Sequence, residues 1–168
     1  MNLLFLPDVM LDALTDVTPE FLKSRGISLL MLDFDNTIVP YTTDVPKETF
    51  CTWLQKMQGS DIRLCVVSNS RKPRVVEFCK KYGMDCITHA KKPFSGGIVQ
   101  CLRQYNAEPK QCALVGDQIY TDTLGANAAG VQSILVRAID NHNVWLKLRH
   151  LAEKPFIFAA RKRRVHYE

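Results

Sequence analysis

The sequence lacks the features that would assign it to several large protein classes. No stretch approaches the ~20 apolar residues a helix needs to span a bilayer. Met1 to Leu14 starts apolar, but it has no basic leader and is interrupted by Asp8 and Asp12, which argues against a cleaved signal peptide. Its six cysteines, Cys51, Cys65, Cys79, Cys86, Cys101 and Cys112, form no CxxC pair and have no histidines at zinc-ligand spacing. They read as reduced thiols of an intracellular protein, with Cys65, Cys101 and Cys112 packing as small hydrophobes. There is no internal repeat, low-complexity tract or linker-like shift of composition. The 168 residues therefore suit one domain, 1–168, with a single core.

What is present points to an ordinary globular chain with a basic lean. Hydrophobic residues make up 46% and charged residues 23%, which excludes a disordered or fibrous protein. The formal charge of +5 suits a phosphate-bearing partner without requiring one.

Four short apolar runs, Ile27 to Leu32, Leu64 to Val67, Ala113 to Val115 and Ser133 to Val136, have strand length. None alternates, as expected of strands covered on both faces. Cys86 to Thr88 is a weaker fifth candidate. Between them the spacing predicts helices over Pro46 to Gln58, Pro73 to Tyr82, Ser95 to Tyr105 and Thr121 to Ala129. The first has Asp44 as a candidate cap, and the second ends at Gly83. Strands alternating with helices imply right-handed crossovers and a parallel sheet. The fold class is α/β, a three-layer sandwich around about five strands.

In such sheets ligands sit beyond the carboxyl ends of the strands. The residues there read Asp33-Phe34-Asp35-Asn36-Thr37, Ser68-Asn69-Ser70 and Gly116-Asp117-Gln118. Asp33 and Asp35 are two apart and share a direction in extended backbone. Crowded carboxylates repel unless a cation or shared proton offsets them, and Asp117 and Asp122 add further negative charge. An oxygen-only cluster of this kind suits Mg²⁺ bound with phosphate. Lys91-Lys92-Pro93 is the basic counterpart, and Ser68 is a neutral donor. Taken singly, each motif also reads as a turn, a cap or a solvated loop. The specificity lies in their order and in each following an apolar run.

These residues, with Val67-Ser68-Asn69, Lys92-Pro93 and Val115 through Asp122, resemble the four motifs of the haloacid dehalogenase-like superfamily. The likeness extends over about residues 27 to 136. The asparagine in the first motif, the Lys-Pro pair and Gly-Asp-Gln-xxx-Thr-Asp are most similar to subfamily IIIA, which includes phosphatidylglycerophosphate phosphatases.

The resemblance implies strand order 3-2-1-4-5 and a Mg²⁺-dependent phosphatase working through an aspartyl phosphate. Asp33 would be the nucleophile and Asp35 the general acid and base. Ser68, Asn69 and Lys92 would bind the phosphoryl group along with Asp33, with Lys91 as the alternative lysine. Asp33, Asp117 and the backbone carbonyl of Asp35 would hold the metal, with Asp122 acting directly or through water. Asp35 favours phosphoryl transfer over dehalogenation, which has no alkoxide to protonate.

Asn36 departs from the more common glycine, although asparagine tolerates left-handed backbone. Only 34 residues lie between Asp33 and Ser68, and 23 between Ser68 and Lys92. Neither gap can hold the cap domain of many relatives, so an open site is expected, accessible to a bulky or membrane-embedded substrate.

The C-terminal region presents Val144, Trp145, Leu148 and Leu151 on one face, then Phe156-Ile157-Phe158 and Arg161-Lys162-Arg163-Arg164. An aromatic patch beside a cationic cluster is the composition of an interfacial anchor on anionic phospholipid. The alternative is a helix packed on the core with a solvated basic tail, and Leu3, Leu4, Phe5 and Leu6 suit either. No aromatic stacking platform supports nucleic-acid binding. The expected location is cytoplasmic, in solution or peripheral on the inner face of the membrane. The expected substrate is a phosphomonoester, with phosphatidylglycerophosphate ahead of a sugar phosphate, nucleotide or phosphoprotein. A fold retained for binding without turnover is the other class.

Overall fold

The computed structural model describes residues 3–140 and 154–159. The apolar runs form β2 (Leu29–Leu32), β3 (Arg63–Val67), β4 (Asp85–Ile87), β5 (Cys112–Gly116) and β6 (Gln132–Leu135). A two-residue strand near the N-terminus, β1 (Val9–Met10), joins them. All pair in parallel in the order β1-β6-β5-β2-β3-β4. Without β1 this is the expected order, with the Asp33-bearing strand in the middle. β1 is the addition to the expected five strands. It is anchored by Asp8, whose carboxylate accepts from the Ser133 backbone N–H at 2.9 Å and hydroxyl at 3.1 Å.

The helices are α1 (Pro19–Ser24), α2 (Glu48–Gln58), α3 (Pro73–Tyr82), α4 (Gly96–Gln104) and α5 (Leu124–Ala128), and residues 154–159 are also helical. Side-chain alternation on the buried strands divides the core in two. Leu30, Leu32, Val66, Ala113 and Val115 face one side, with α2, α3 and Leu22 of α1. Leu29, Met31, Cys65, Val67 and Leu114 face the other, against α4 and α5. Cys65, Cys101 and Cys112 are fully buried, and all six cysteines are unpaired.

Three local readings change. α2 starts at Glu48 with Lys47 in the cap position, and the expected cap, Asp44, instead pairs with Arg74. α1 was not anticipated, although Thr18-Pro19-Glu20 is a start signal: the Thr18 hydroxyl accepts from the Phe21 N–H at 3.1 Å. The segment expected as Thr121 to Ala129 divides into a π-helical turn, Ile119–Thr123, and α5. At the C-terminus, Phe156 packs against Phe5 and Tyr120, with ring centroids 5.3 and 6.1 Å away, while Phe158 is exposed. The expected apolar face from Val144 to Leu151 and the basic run from Arg161 to Arg164 lie outside the described residues.

Candidate active site

The site is built where β2 runs out. Asp33 continues the ladder, its N–H donating to the Val115 carbonyl at 2.9 Å. Phe34 turns into the core, where its ring lies edge-on to Phe78 at 5.1 Å and is fully buried. This leaves the flanking Asp33 and Asp35 to serve the sheet edge. The chain then reverses through Asn36, whose φ of 66° lies in the left-handed region that asparagine tolerates. Asn36 is fully buried. Its side-chain amide donates to the Asp140 carbonyl at 2.6 Å and its side-chain oxygen accepts from the Asp140 N–H at 3.0 Å. The first loop is thereby tied to the chain leaving β6.

Carboxylate oxygens of Asp33, Asp117 and Asp122 converge to within 4.8 Å of one another. The Thr37 hydroxyl lies 3.3 Å from Asp33 Oδ2 and 3.5 Å from Asp117 Oδ1. Asp122 reaches this point because residue 116 is glycine: a Cβ there would overlap the Asp122 carboxylate. Lys92 enters from the loop after β4, and its Nζ donates to Asp33 Oδ1 and Asp122 Oδ1, each at 2.7 Å. Lys92 is therefore the lysine in the site, while Lys91 is exposed.

The electrostatics follow from this crowding. Burial would lower the Lys92 pKa, but Asp122 and Asp33 outweigh it and raise the pKa above the usual lysine range. Burial raises the Asp122 carboxyl to about 6 against the opposing pull of Lys92. Asp117 is pushed well above the carboxylate range by burial and then by Asp33 and Asp122. Three buried carboxylates share one lysine, so the cluster carries excess negative charge. Its oxygen-only donors fit a hard divalent cation.

The other expected residues are distributed around this cluster. Ser68 is buried, and its hydroxyl oxygen accepts from the Ser70 N–H at 3.0 Å, leaving its O–H to donate. Asn69 was expected at the phosphate, but its side chain bonds in both directions to the Lys92 backbone, at 2.7 and 2.8 Å. Its amide thus positions Lys92. The Asp35 carboxylate stands outside the metal-ligand group and pairs with Arg74. Burial raises its pKa, Arg74 opposes the rise and Asp33 adds to it. Arg74 and Thr37 had no assigned part in the sequence reading, and of the two only Thr37, inside the first motif, had a signal that would have found it. Asn36 was read there as a left-handed position, which its φ bears out.

Comparison with known proteins agrees with this arrangement. A family model described as HAD-hydrolase-like matches residues 89–155, the part that contains Lys92, Asp117 and Asp122. The probable phosphatase YqeG of Bacillus subtilis is 29% identical over 164 residues, covering 98% of this chain and 95% of that one. The cobalt-bound deoxy-D-mannose-octulosonate 8-phosphate phosphatase YrbI of Haemophilus influenzae has a similar fold. Its TM-score is 0.55 at 14% identity, covering 76% of this chain and 77% of that one. An uncharacterized protein of Listeria monocytogenes serotype 4b gives a TM-score of 0.57 at 16% identity, covering 70% and 84%. Sheet order and site geometry agree with these likenesses: the fold is haloacid dehalogenase-like, and the chain is similar to a probable phosphatase.

Proposed function

We propose that this chain is a Mg²⁺-dependent phosphatase that works through an aspartyl phosphate on Asp33, with phosphatidylglycerophosphate as its substrate. The observation that carries the reaction is the Lys92 ammonium held between Asp33 and Asp122, beside the convergent Asp117.

Asp33 Oδ attacks phosphorus in line with the leaving oxygen. Asp35 gives that oxygen its proton, and later takes one from the water that hydrolyses the intermediate. Lys92 and the Ser68 hydroxyl orient the equatorial oxygens and offset their charge. Mg²⁺ would be held by Asp33, Asp117, Asp122 and the Asp35 carbonyl, and would neutralise the excess negative charge that otherwise opposes an incoming phosphate.

The lipid substrate is supported by the rim of the site. No domain is inserted between Asp33 and Lys92, and the loops at this edge expose Tyr41, Val45 and Phe94, at 46, 72 and 76% of their surface. Exposed Arg71, Lys72 and Lys91 stand in loops at the same edge. Apolar side chains among cations suit an anionic membrane surface, where each basic residue contributes about 1 kcal/mol. Among the described residues no helix is long and apolar enough to cross a membrane, so the association would be peripheral.

The test is turnover with Mg²⁺ on lipid and on soluble monoesters, alongside co-sedimentation with anionic vesicles. Phosphatidylglycerophosphate should be the preferred ester. Phe94→Asp with Val45→Asp, or truncation after Ala160, should weaken vesicle binding and slow lipid hydrolysis while soluble turnover is unchanged. A protein that ignores anionic vesicles and prefers a soluble ester would overturn the lipid assignment and leave the phosphatase.

A further inference from the structure

Arg74 lies in the first turn of α3, facing the loop that leaves β2. One guanidinium nitrogen, Nη2, pairs with Asp35 Oδ1, and the other, Nη1, donates to Asp44 Oδ1 at 2.7 Å. The guanidinium carbon is 5.2 Å from the centroid of the Phe34 ring. The side chain is mostly buried, and among the described residues its Nε has no hydrogen-bond partner. Nothing in the phosphoryl-binding cluster requires this residue.

We infer that Arg74 is a positioning residue for Asp35, itself held in place by Asp44 and Phe34. The inference rests on the phosphatase reading above. An arginine suits the task because its planar fork can satisfy two carboxylates while lying over a ring. A lysine keeps the charge but loses the fork. Both carboxylates belong to the loop after β2, so the contact clips that loop to the start of α3. A cap domain would otherwise be available to order such a loop, and this chain has none between its motifs.

The chemistry makes the assignment specific. As the Asp33 Oδ–P bond forms and the ester P–O bond breaks, the Asp35 O–H proton moves to the leaving alkoxide. An alkyl leaving group needs that proton. A nitrophenolate leaves without it. Positioning lost at Asp35 should therefore appear in kcat/KM for an alkyl ester and largely vanish for p-nitrophenyl phosphate.

The experiment compares wild type, Arg74→Ala, Arg74→Lys, Asp44→Asn and Asp35→Asn on hexyl phosphate and on p-nitrophenyl phosphate, with kcat and KM separated. General acid catalysis contributes about 10²–10⁴-fold. Arg74→Ala should lose on the order of 10–10²-fold in kcat/KM on the hexyl ester, carried by kcat, and only a few-fold on the nitrophenyl ester. Asp35→Asn should show the same pattern more strongly. Arg74→Lys should recover part of the loss, and Asp44→Asn should repeat the pattern weakly. Should Arg74→Ala fail to fold, the lysine and Asp44 variants carry the same comparison. Equal losses on both esters, or a loss confined to KM, would overturn the assignment. Absence of wild-type turnover on either ester, or hydrolysis by folded Asp33→Asn, would overturn the phosphatase reading and this inference with it.

Discussion

Two carboxylate clusters lie on either side of Phe34, and they are built on opposite principles. The inner one buries Asp33, Asp117 and Asp122 around a single ammonium, Lys92, and is left with excess negative charge. The outer one, Asp35 and Asp44, is shallower and is bridged by a single guanidinium, Arg74. An unbalanced buried cluster is costly unless a cation completes it. That makes it a candidate cation site. The bridged pair is balanced without an ion, and the contribution proposed for it is orientation. On the function proposed above, the same residue type would serve as a ligand shell on one side and as a positioned proton carrier on the other.

The largest effect that would break this contrast is at the nucleophile. Asp33→Asn should abolish hydrolysis in a protein that melts normally, because an amide cannot attack phosphorus; near-normal steady-state turnover would refute the inner cluster's role. Chelation should do the same reversibly, with Mg²⁺ restoring activity and Ca²⁺ inhibiting through its larger, looser shell. Full activity after exhaustive dialysis with chelator would remove the cation from the account. Gly116→Ala should cut turnover on the order of 10²-fold, since an added Cβ must displace the Asp122 carboxylate by a fraction of an ångström or more. Activity within a factor of two of wild type would show that Asp122 has room to move.

The smallest effect is thermodynamic. Burial raises the Asp122 carboxyl from the ordinary aspartate range to about 6. An acid whose folded pKa is raised stabilises the fold below its unfolded pKa, and that stability is lost as pH rises through about 6. Metal-free protein should therefore lose stability between about pH 4 and pH 6 from this residue, while Mg²⁺ binding must displace the proton at the lower end. Thermal melts with and without Mg²⁺ should show a larger stabilisation at pH 7 than at pH 5. At 100-fold excess over Kd it would reach about 2.7 kcal/mol. A pH-independent increment would show that Asp122 does not titrate with the metal.

The inner cluster was far more legible in the sequence than the outer one. Strand ends after Leu32, Val67 and Val115 are marked by apolar runs, and a parallel sheet must bring its carboxyl ends to one edge, so Asp33, Ser68 and Asp117 follow from topology. Lys92 was harder to separate from Lys91, and the choice between them is made by Asn69, which clamps the Lys92 backbone from both sides. Arg74 was illegible because an arginine early in an amphipathic helix looks like any solvated charge, and its partner Asp44 resembled a helix cap. β1 escaped notice because two residues have no periodicity to read; Asp8 and Ser133, which secure it, are 125 residues apart.

Whether Asp33 carries the phosphoryl group is decided by trapping the intermediate. Protein mixed with Mg²⁺ and a radiolabelled phosphomonoester that it turns over, then quenched in acid within a turnover, should carry an acyl-bound phosphoryl group on the peptide containing Asp33. The label should be released by hydroxylamine, accumulate in Asp35→Asn if hydrolysis of the intermediate is slowed more than its formation, and be absent from Asp33→Asn. Phosphate release by wild type with no label on Asp33 in either the wild type or the Asp35 variant would contradict the account.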